Sequence, residues 1–513
     1  MTLKSHHILF VLSFIFFTNC SDSVETISDK YDSYTNEYYL NLRIDNFTSE
    51  SRAEEDFDGG TDGERTVSSI AFYFFNQNGE PFIILSDSPA SSNMIMLPAE
   101  YESVSGTLHY IHEISSVEYK SWTSGLPARV MAVANIPGEN PVAQYSSLAN
   151  KSLPDLSKEL VALHKDNPAA GSFSMSSSTY ADADGNIICW SGISPDNIVQ
   201  TRADAMLHPV MINLERHVSK VKVTLDPAPG KGTGNTYEVK NISFIKSDGT
   251  NESRTLYAQI LNWDLNATVS HSKLLKELPV DNPFSGWNNP GGCRSSWAVT
   301  PQVGDDVTPS LEKKFSWDKL SNNFNEPDFC FENTLQPTVD FTQDASTDAT
   351  KVLLKARIID GAGNSADIVS WGGLFYTATD FRTMVSRYVA GDNADASKVE
   401  LRRVIKNKKH IASAYYNGSP VPEFSNIRYW DNGICYYVVN IRHTVDGDRT
   451  LYGVVRNHSY AISIKSISGL GTPGGGDEHD EPENPDPEME SFVSADVSVL
   501  PWHILNYNTD VEL

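Results

Sequence analysis

Short runs in which apolar and polar residues alternate with a period of two recur along this chain, and they fix its fold class before composition is considered. In Val218 to Leu225, Val221, Val223 and Leu225 fall on one face and Lys220 and Lys222 on the other, the pattern of a half-buried strand. Val67 to Phe75, Arg129 to Ala134, Val210 to Leu214 and Tyr237 to Ile245 read as further strands, as do Val352 to Ile359, Cys435 to Arg442 and Tyr460 to Ile467. Turn residues separate them, as in Asn76-Gln77-Asn78-Gly79 and Asp431-Asn432-Gly433. Only Leu153 to Lys165 and Ala378 to Tyr388 read as helices. Many short strands with rare helices predict β-sandwiches rather than a parallel sheet. A chain of 513 residues is long enough for two such domains, and the boundary is expected between residues 246 and 255. No internal repeat is visible.

Two strands stand apart from these runs. In the stretch from Ser491 to Leu513, Val493, Ala495, Val497 and Val499 alternate with Ser494, Asp496 and Ser498. Before it lies Thr472 to Glu490, rich in Gly, Pro, Asp and Glu and unsuited to a core element. Pro501 cannot donate to a ladder and belongs at a bulge or an edge; beyond it Trp502, Ile504 and Leu505 break the alternation. At the other end Tyr38, Leu40, Leu42 and Ile44 share one face of an isolated strand. An acidic, Gly-rich stretch from residue 48 to 65 divides that strand from the rest of the first domain, and Arg52 lies in it, a loop of the kind proteases cut. A strand that can be detached and a strand that can be donated are complementary. A cut after Arg52 would vacate a groove that another subunit's C-terminal strand could fill, by β-augmentation. The plainer alternative pairs the last strand within its own domain.

Lys4, His6 and His7 precede an apolar run from Ile8 to Phe17, and Cys20 comes soon after. The run is about half a bilayer-spanning length and reads as a signal peptide. Phe17-Thr18-Asn19-Cys20 resembles a lipobox, with Asn19 departing from the small residue usual before the lipidated Cys; an ordinary signal peptide is the alternative. A net charge of −26 excludes a nucleic-acid binder, which needs clustered Lys and Arg. Besides Cys20 there are Cys189, Cys293, Cys330 and Cys435, with no C-x-x-C pair, so no zinc ribbon or dense disulfide scaffold is indicated.

No motif for chemistry survives inspection. Gly469-Leu470-Gly471-Thr472-Pro473-Gly474 has the spacing of a dinucleotide loop, but no helix opens after it and acidic residues come next; it reads as a strand terminator before a linker. Asp182-Ala183-Asp184-Gly185-Asn186 has its Gly too early for a calcium loop and lacks the bidentate Glu, which leaves a hairpin turn. The acid-rich run from Asp477 to Glu490 reads as a solvated spacer. His112-Glu113 has no second His for a zinc site, and the scattered carboxylates offer no acid–base pair. No catalytic residue, metal site or cofactor is expected. Trp190, Trp263, Trp297 and Trp430 are expected in cores, with glycan stacking as the other use of such a ring.

A set of motifs in fixed order gives the chain a family resemblance. They include Ser51-Arg52-Ala53, Val67 to Gly79 and Phe173-Ser174-Met175-Ser176, then Leu214 to Val221 (LERHVSKV) and Arg294-Ser295-Ser296-Trp297-Ala298. Cys330 with Glu332-Asn333-Thr334, Gly433-Ile434-Cys435-Tyr436-Tyr437 leading to His443, and Tyr452 to His458 come next. Ile467 to Gly471 and Val499-Leu500-Pro501-Trp502 close the series. With these the chain resembles the Bacteroidales fimbrillins that build type V pili, nearest within them to the major subunit of the short fimbria. The resemblance implies two tandem transthyretin-like β-sandwich domains with few short helices and a C-terminal donor strand. It also implies a lipoprotein precursor, lipidated at Cys20, carried to the cell surface and cut between Arg52 and Ala53 by an arginine-specific protease.

The expected division of the chain is a signal peptide to residue 20, a propeptide over 21–52 with the removable strand, β-sandwich domains over 53–249 and 250–471, an acidic linker over 472–490 and the donor strand over 491–513. Val493, Ala495, Val497, Val499, Trp502 and Ile504 are its docking residues. The expected partners are other copies of the chain and related fimbrial subunits in a head-to-tail polymer, together with host or bacterial surface receptors. A shaft subunit supporting adhesion and biofilm growth is the resulting expectation. The alternative is a stand-alone surface lipoprotein, or an accessory or tip adhesin that binds glycan or host protein. Cys330 and Cys435 lie in family-like strand motifs, either as a disulfide or as two buried thiols.

Overall fold

The structure, a computed structural model, describes residues 38–45, 60–84, 91–97, 107–114, 119–120, 122, 125–136, 140–162, 173–181, 187–277, 311–312, 323–334, 349–365, 367–406, 409–446, 449–474 and 492–501. The fold is mainly β, built around two hydrophobic cores.

At the centre of the first core lies a sheet in the order Leu214–Arg216, Met175–Ser177, Arg129–Ala134, Ile70–Phe75, Met94–Leu97. One face, with Ile70, Phe72, Phe74, Val130 and Ala132, packs against Leu40, Leu42 and Ile44 of the strand Tyr38–Asp45. The other, with Ala71, Tyr73, Phe75, Met131 and Val133, packs against Tyr145, Leu148, Leu153, Leu156, Leu274 and Leu275. Burial on both faces is why Ile70–Phe75 is an unbroken apolar run rather than an alternation.

Two facing sheets form the second core. The larger runs Arg428–Trp430, Ile368–Trp371, Leu374–Thr377, Thr236–Ile245, Asn251–Asn266, Lys351–Ile359, Ile434–Asn440, Thr472–Pro473. The smaller runs Pro327–Phe331, Val218–Leu225, His458–Ser468, Phe492–Pro501. Trp263 and Trp430 are wholly buried between them, whereas Trp190 is half-buried under the Arg129 guanidinium; Trp297 lies outside the described residues. A satellite cluster joins the helix Ala378–Ala390, through Phe381 and Val385, to the hairpin Val399–Lys406 and Lys409–Tyr416. Thr377 caps that helix by accepting from the Asp380 N–H, and Gly391 ends it.

Several expectations change here. Val218–Leu225 and Thr236–Ile245 belong to the sheets of the second core, so the division between cores falls near His217, ahead of the 246–255 segment and of the 249/250 boundary. The reason is long-range: Val218–Leu225 pairs in parallel with His458–Ser468, a partner that local pattern cannot reveal. The helix expected over Leu153 to Lys165 is a single turn, Leu153–Leu156. Leu160–Ala162 instead pairs with His271–Lys273, and that ladder takes the chain out of helical geometry.

Cys330 and Cys435 are both buried thiols rather than a disulfide. They come from opposing sheets of the second core. Burial pushes the Cys435 thiol well above its ordinary value.

The segment from Gly469 to Gly474 closes the second core. Trp430 Nε1 donates to the Leu470 and Gly471 carbonyls at 3.1 and 3.2 Å, and Thr472–Pro473 pairs with Cys435–Tyr436. The expected linker therefore yields its first residues to the sheet. At Gly471 the backbone has φ +66, and a Cβ would lie 2.7 Å from the Tyr436 carbonyl oxygen, so only glycine fits. Tyr180–Ala181 and Ile187–Ile188 pair antiparallel on either side of Asp182 to Asn186, which lie outside the described residues.

Candidate strand-exchange site

Tyr38–Asp45 is an inner strand. Along its whole length it pairs antiparallel with Thr107–Ile114, from Tyr38 opposite Ile114 to Asp45 opposite Thr107. Its other edge pairs with Ile198–Val199 through Tyr39 and Leu40, and in parallel with Val210–Met211 through Leu42 and Arg43. The Ile212 N–H donates to the Arg43 carbonyl at 3.0 Å. Leu40 and Leu42 are fully buried and Ile44 nearly so, each contributing about 1.5–3 kcal/mol by apolar burial. Tyr38 stacks on Tyr119 with ring centroids 3.8 Å apart. On the outer face Asn41 is also fully buried, and its Nδ2 donates to the Ala205 carbonyl at 3.2 Å. Ala205 belongs to the short helix Arg202–Leu207 that covers this face.

Arg52 and Ala53, like Cys20, lie outside the described residues. From Gly60 the chain forms a tightly held turn. Thr61 and Glu64 form a capping box around the helix Asp62–Arg65. Glu64 Oε2 lies 3.2 Å from Lys220 Nζ, and the Glu64 carbonyl accepts from Arg216 Nε at 2.8 Å. The chain from Gly60 onward is thus fastened to Arg216 and Lys220, and residues 46–59, between it and the strand Tyr38–Asp45, lie outside the described residues.

The last strand, Phe492–Pro501, is paired very differently. It lies antiparallel to His458–Ser468, from Ser468 opposite Phe492 to His458 opposite Pro501, with a bulge between Ile464 and Ser466. It forms the edge of its sheet, so one side of its backbone has no strand neighbour among the described residues. Val493 and Ala495 are only partly buried against the second core, and Ser494 and Asp496 are exposed. Lys465 and Asp496 approach to 3.7 Å on the surface, a contact of little energetic weight. Pro501 sits at the end of an edge strand, where its missing N–H does least harm. Trp502 and Ile504 lie outside the described residues.

A buried charged junction, to which sequence reasoning assigned no role, ties the two cores together. Arg456 donates from Nε to Glu332 Oε2 at 2.9 Å and from Nη2 to Glu332 Oε1 at 2.5 Å, and Nη2 also reaches Ser272 Oγ and the Lys273 carbonyl. Beside it Lys276 Nζ pairs with Glu215 Oε2 at 3.2 Å, and Arg216 Nη1 donates to Asn457 Oδ1. His217 Nε2 lies 3.1 Å from the Leu274 carbonyl and Nδ1 lies 3.0 Å from Ser174 Oγ. The carbonyl can only accept, so Nε2 carries a proton. Burial and the Arg456 charge hold its pKa well below the ordinary histidine value. Glu215, Arg216, His217, Glu332, Arg456 and Asn457 come from LERHVSKV, Glu332-Asn333-Thr334 and Arg456-Asn457-His458, and the rest come from Ser174 and the segment Ser272 to Lys276. The only sequence signal was charge set inside otherwise strand-like runs.

Among the described residues no group of His, Cys, Asp and Glu is arranged to hold a metal, and no helix is long and apolar enough to cross a membrane.

Comparison with known proteins identifies the pattern. Residues 38–225 match the family model described as major fimbrial subunit protein (FimA). Residues 428–508 match that of major fimbrial subunit protein type IV, fimbrillin, C-terminal. No curated protein matches in sequence. Among solved structures, a candidate cell adhesion protein from Parabacteroides distasonis is 11% identical, covering 90% of this chain and 97% of its own, with a TM-score of 0.39. The tip fimbrial protein Mfa3 from Porphyromonas gingivalis, truncated at its C-terminus, is 12% identical over 91% of this chain and 100% of its own, with a TM-score of 0.37. A fimbrial assembly protein from Parabacteroides distasonis is 11% identical over 76% and 97%, with a TM-score of 0.29. The first match begins at the strand Tyr38–Asp45 and the second takes in the strand Phe492–Pro501, and on these two matches the chain belongs to the fimbrillins, the subunits of bacterial cell-surface fimbriae.

Proposed function

We propose that this chain is a shaft subunit that polymerises by donor-strand exchange. It is secreted as a precursor lipidated at Cys20 and anchored at the outer membrane, and an arginine-specific protease cuts it between Arg52 and Ala53. The strand Tyr38–Asp45 then leaves, and the last strand of another subunit enters its groove. Its role is structural rather than catalytic, in a filament that supports adhesion and biofilm growth.

The observation that carries this reading is the contrast between the two end strands. The first is paired on both edges and buries Leu40, Leu42 and Ile44, yet a single cut at Arg52 would remove its covalent hold on the body. The last is paired on one edge and half-buries Val493 and Ala495. Moving into the vacated groove gives the last strand a second ladder and fuller burial, and both favour the exchange. The joint is head-to-tail and does not close, so it extends into a filament.

The test is limited cleavage after Arg52 by an arginine-specific protease, with electrophoresis in mild SDS as the readout. Ladders that disappear when residues 491–513 are deleted support strand donation; ladders that persist refute it. The docking of the last strand on its own sheet favours a second reading, a stand-alone lipoprotein or tip adhesin. A cleaved protein that stays monomeric and binds glycan saturably would select it.

A further inference from the structure

We propose that Asn41 marks a polarity filter in the groove, and that the donor strand docks in the register that sets Ser494 in the place of Asn41. This inference rests on strand donation as proposed above, with the donor running in the direction of the strand it replaces.

Asn41 is polar and wholly buried, and its amide supplies a hydrogen to the Ala205 carbonyl. When the first strand leaves, that carbonyl keeps the His208 N–H at 3.3 Å but loses its side-chain donor, and it still faces the groove. A residue that donates at this position restores the second bond to that buried oxygen, and one that cannot donate forgoes it. A carboxylate there would be worse, since it only accepts and would be buried against a carbonyl oxygen.

Three registers keep the valine face of the donor toward the core. The one with the longest apolar match sets Val493, Ala495, Val497 and Val499 in the places of Tyr38, Leu40, Leu42 and Ile44. It also sets Asp496 in the place of Asn41, against the Ala205 carbonyl, and the filter rejects it. Sliding the donor one way sets Ser498 there, with Pro501 in the place of Ile44. The Arg43 carbonyl accepts from Ile212. Backbone groups alternate along a strand, so Ile44 presents its N–H to the opposite edge, where it pairs with Leu108. Proline would delete that donor.

Sliding the other way avoids both faults. Ser494 then stands in the place of Asn41, and the helix Arg202–Leu207 settles onto the shorter hydroxyl. Val493, Ala495 and Val497 fill the sites of Leu40, Leu42 and Ile44. Phe492 replaces Tyr39, aromatic for aromatic, and Asp496 takes the half-exposed position of Arg43. Pro501 falls beyond the end of the groove.

Cysteine pairs read the register directly. Glu113 lies opposite Tyr39 in a pair that is not hydrogen-bonded, because Tyr39 directs its N–H to the other edge; such pairs bring Cα atoms within disulfide reach. In protein cut after Arg52, F492C with E113C is expected to give reducible intermolecular cross-links. Cross-linking of S494C with E113C, or of D496C with E113C, in place of that pair would overturn the register while leaving strand donation intact. Ladders that survive deletion of residues 492–513 would refute donation itself. Independently, S494D is expected to abolish the ladders and D496S to leave them unchanged; the reverse pattern overturns the proposal.

Discussion

His217 and Arg456 show how much of this molecule rests on single buried groups. The native state holds His217 neutral, with its pKa depressed by burial and by the Arg456 charge. In the unfolded chain the ring protonates near pH 6.5. Below that pH the unfolded state binds more protons, so stability is fully present above about pH 6.5 and falls with pH until the folded pKa is reached, by up to about 1.4 kcal/mol per pH unit. Chemical denaturation at pH 7.5 and 5.5 is expected to show this loss in the native sequence and a smaller one in H217Q. Removing the guanidinium in R456A strands Glu332, and is expected to destabilise by about 3–5 kcal/mol in the same assay. R456M with E332L is expected to be much milder, because it removes both charges together.

The individual elements were legible where their pattern was local. Arg129–Ala134 and Val218–Leu225 have the limits that their sequences announce, because apolar faces set them. Leu160–Ala162 was not legible as a strand, since its partner His271–Lys273 is distant in sequence. Tyr38, Leu40, Leu42 and Ile44 can be read as one face from alternation alone. Nothing in the sequence tells that Asn41 on the other face is buried, for that depends on the helix Arg202–Leu207 folding over it. Glu64 gave no signal either, because its partners Lys220 and Arg216 belong to another part of the chain. At Gly471 the element scale permits a sharp expectation. G471A forces a Cβ toward the Tyr436 carbonyl at positive φ, and is expected to lower stability by at least about 1–3 kcal/mol, read as a drop in melting temperature. L42A, which opens a cavity beneath the first strand, is expected to cost about 2–5 kcal/mol in the uncut protein. Once the first strand has left, L42A and native subunits are expected to polymerise alike.

At the scale of the whole molecule, the first core keeps the strand Tyr38–Asp45 and the second core keeps the last one, while the charged junction holds the two together. Deleting residues 491–513 removes an edge strand with two partly buried side chains described, Val493 and Ala495. The truncated chain is expected to stay folded, with a cooperative melt, while losing polymerisation after cleavage. The parallel pairing of Val218–Leu225 with His458–Ser468 also dictates when this protein can fold. The smaller sheet of the second core cannot close until nearly the last of its strands has been synthesised, and contacts of such separation form slowly. On the secretion route proposed above, the second core therefore closes only once His458–Ser468 has crossed the membrane, and the sheet that holds the last strand is among the last parts of the subunit to form.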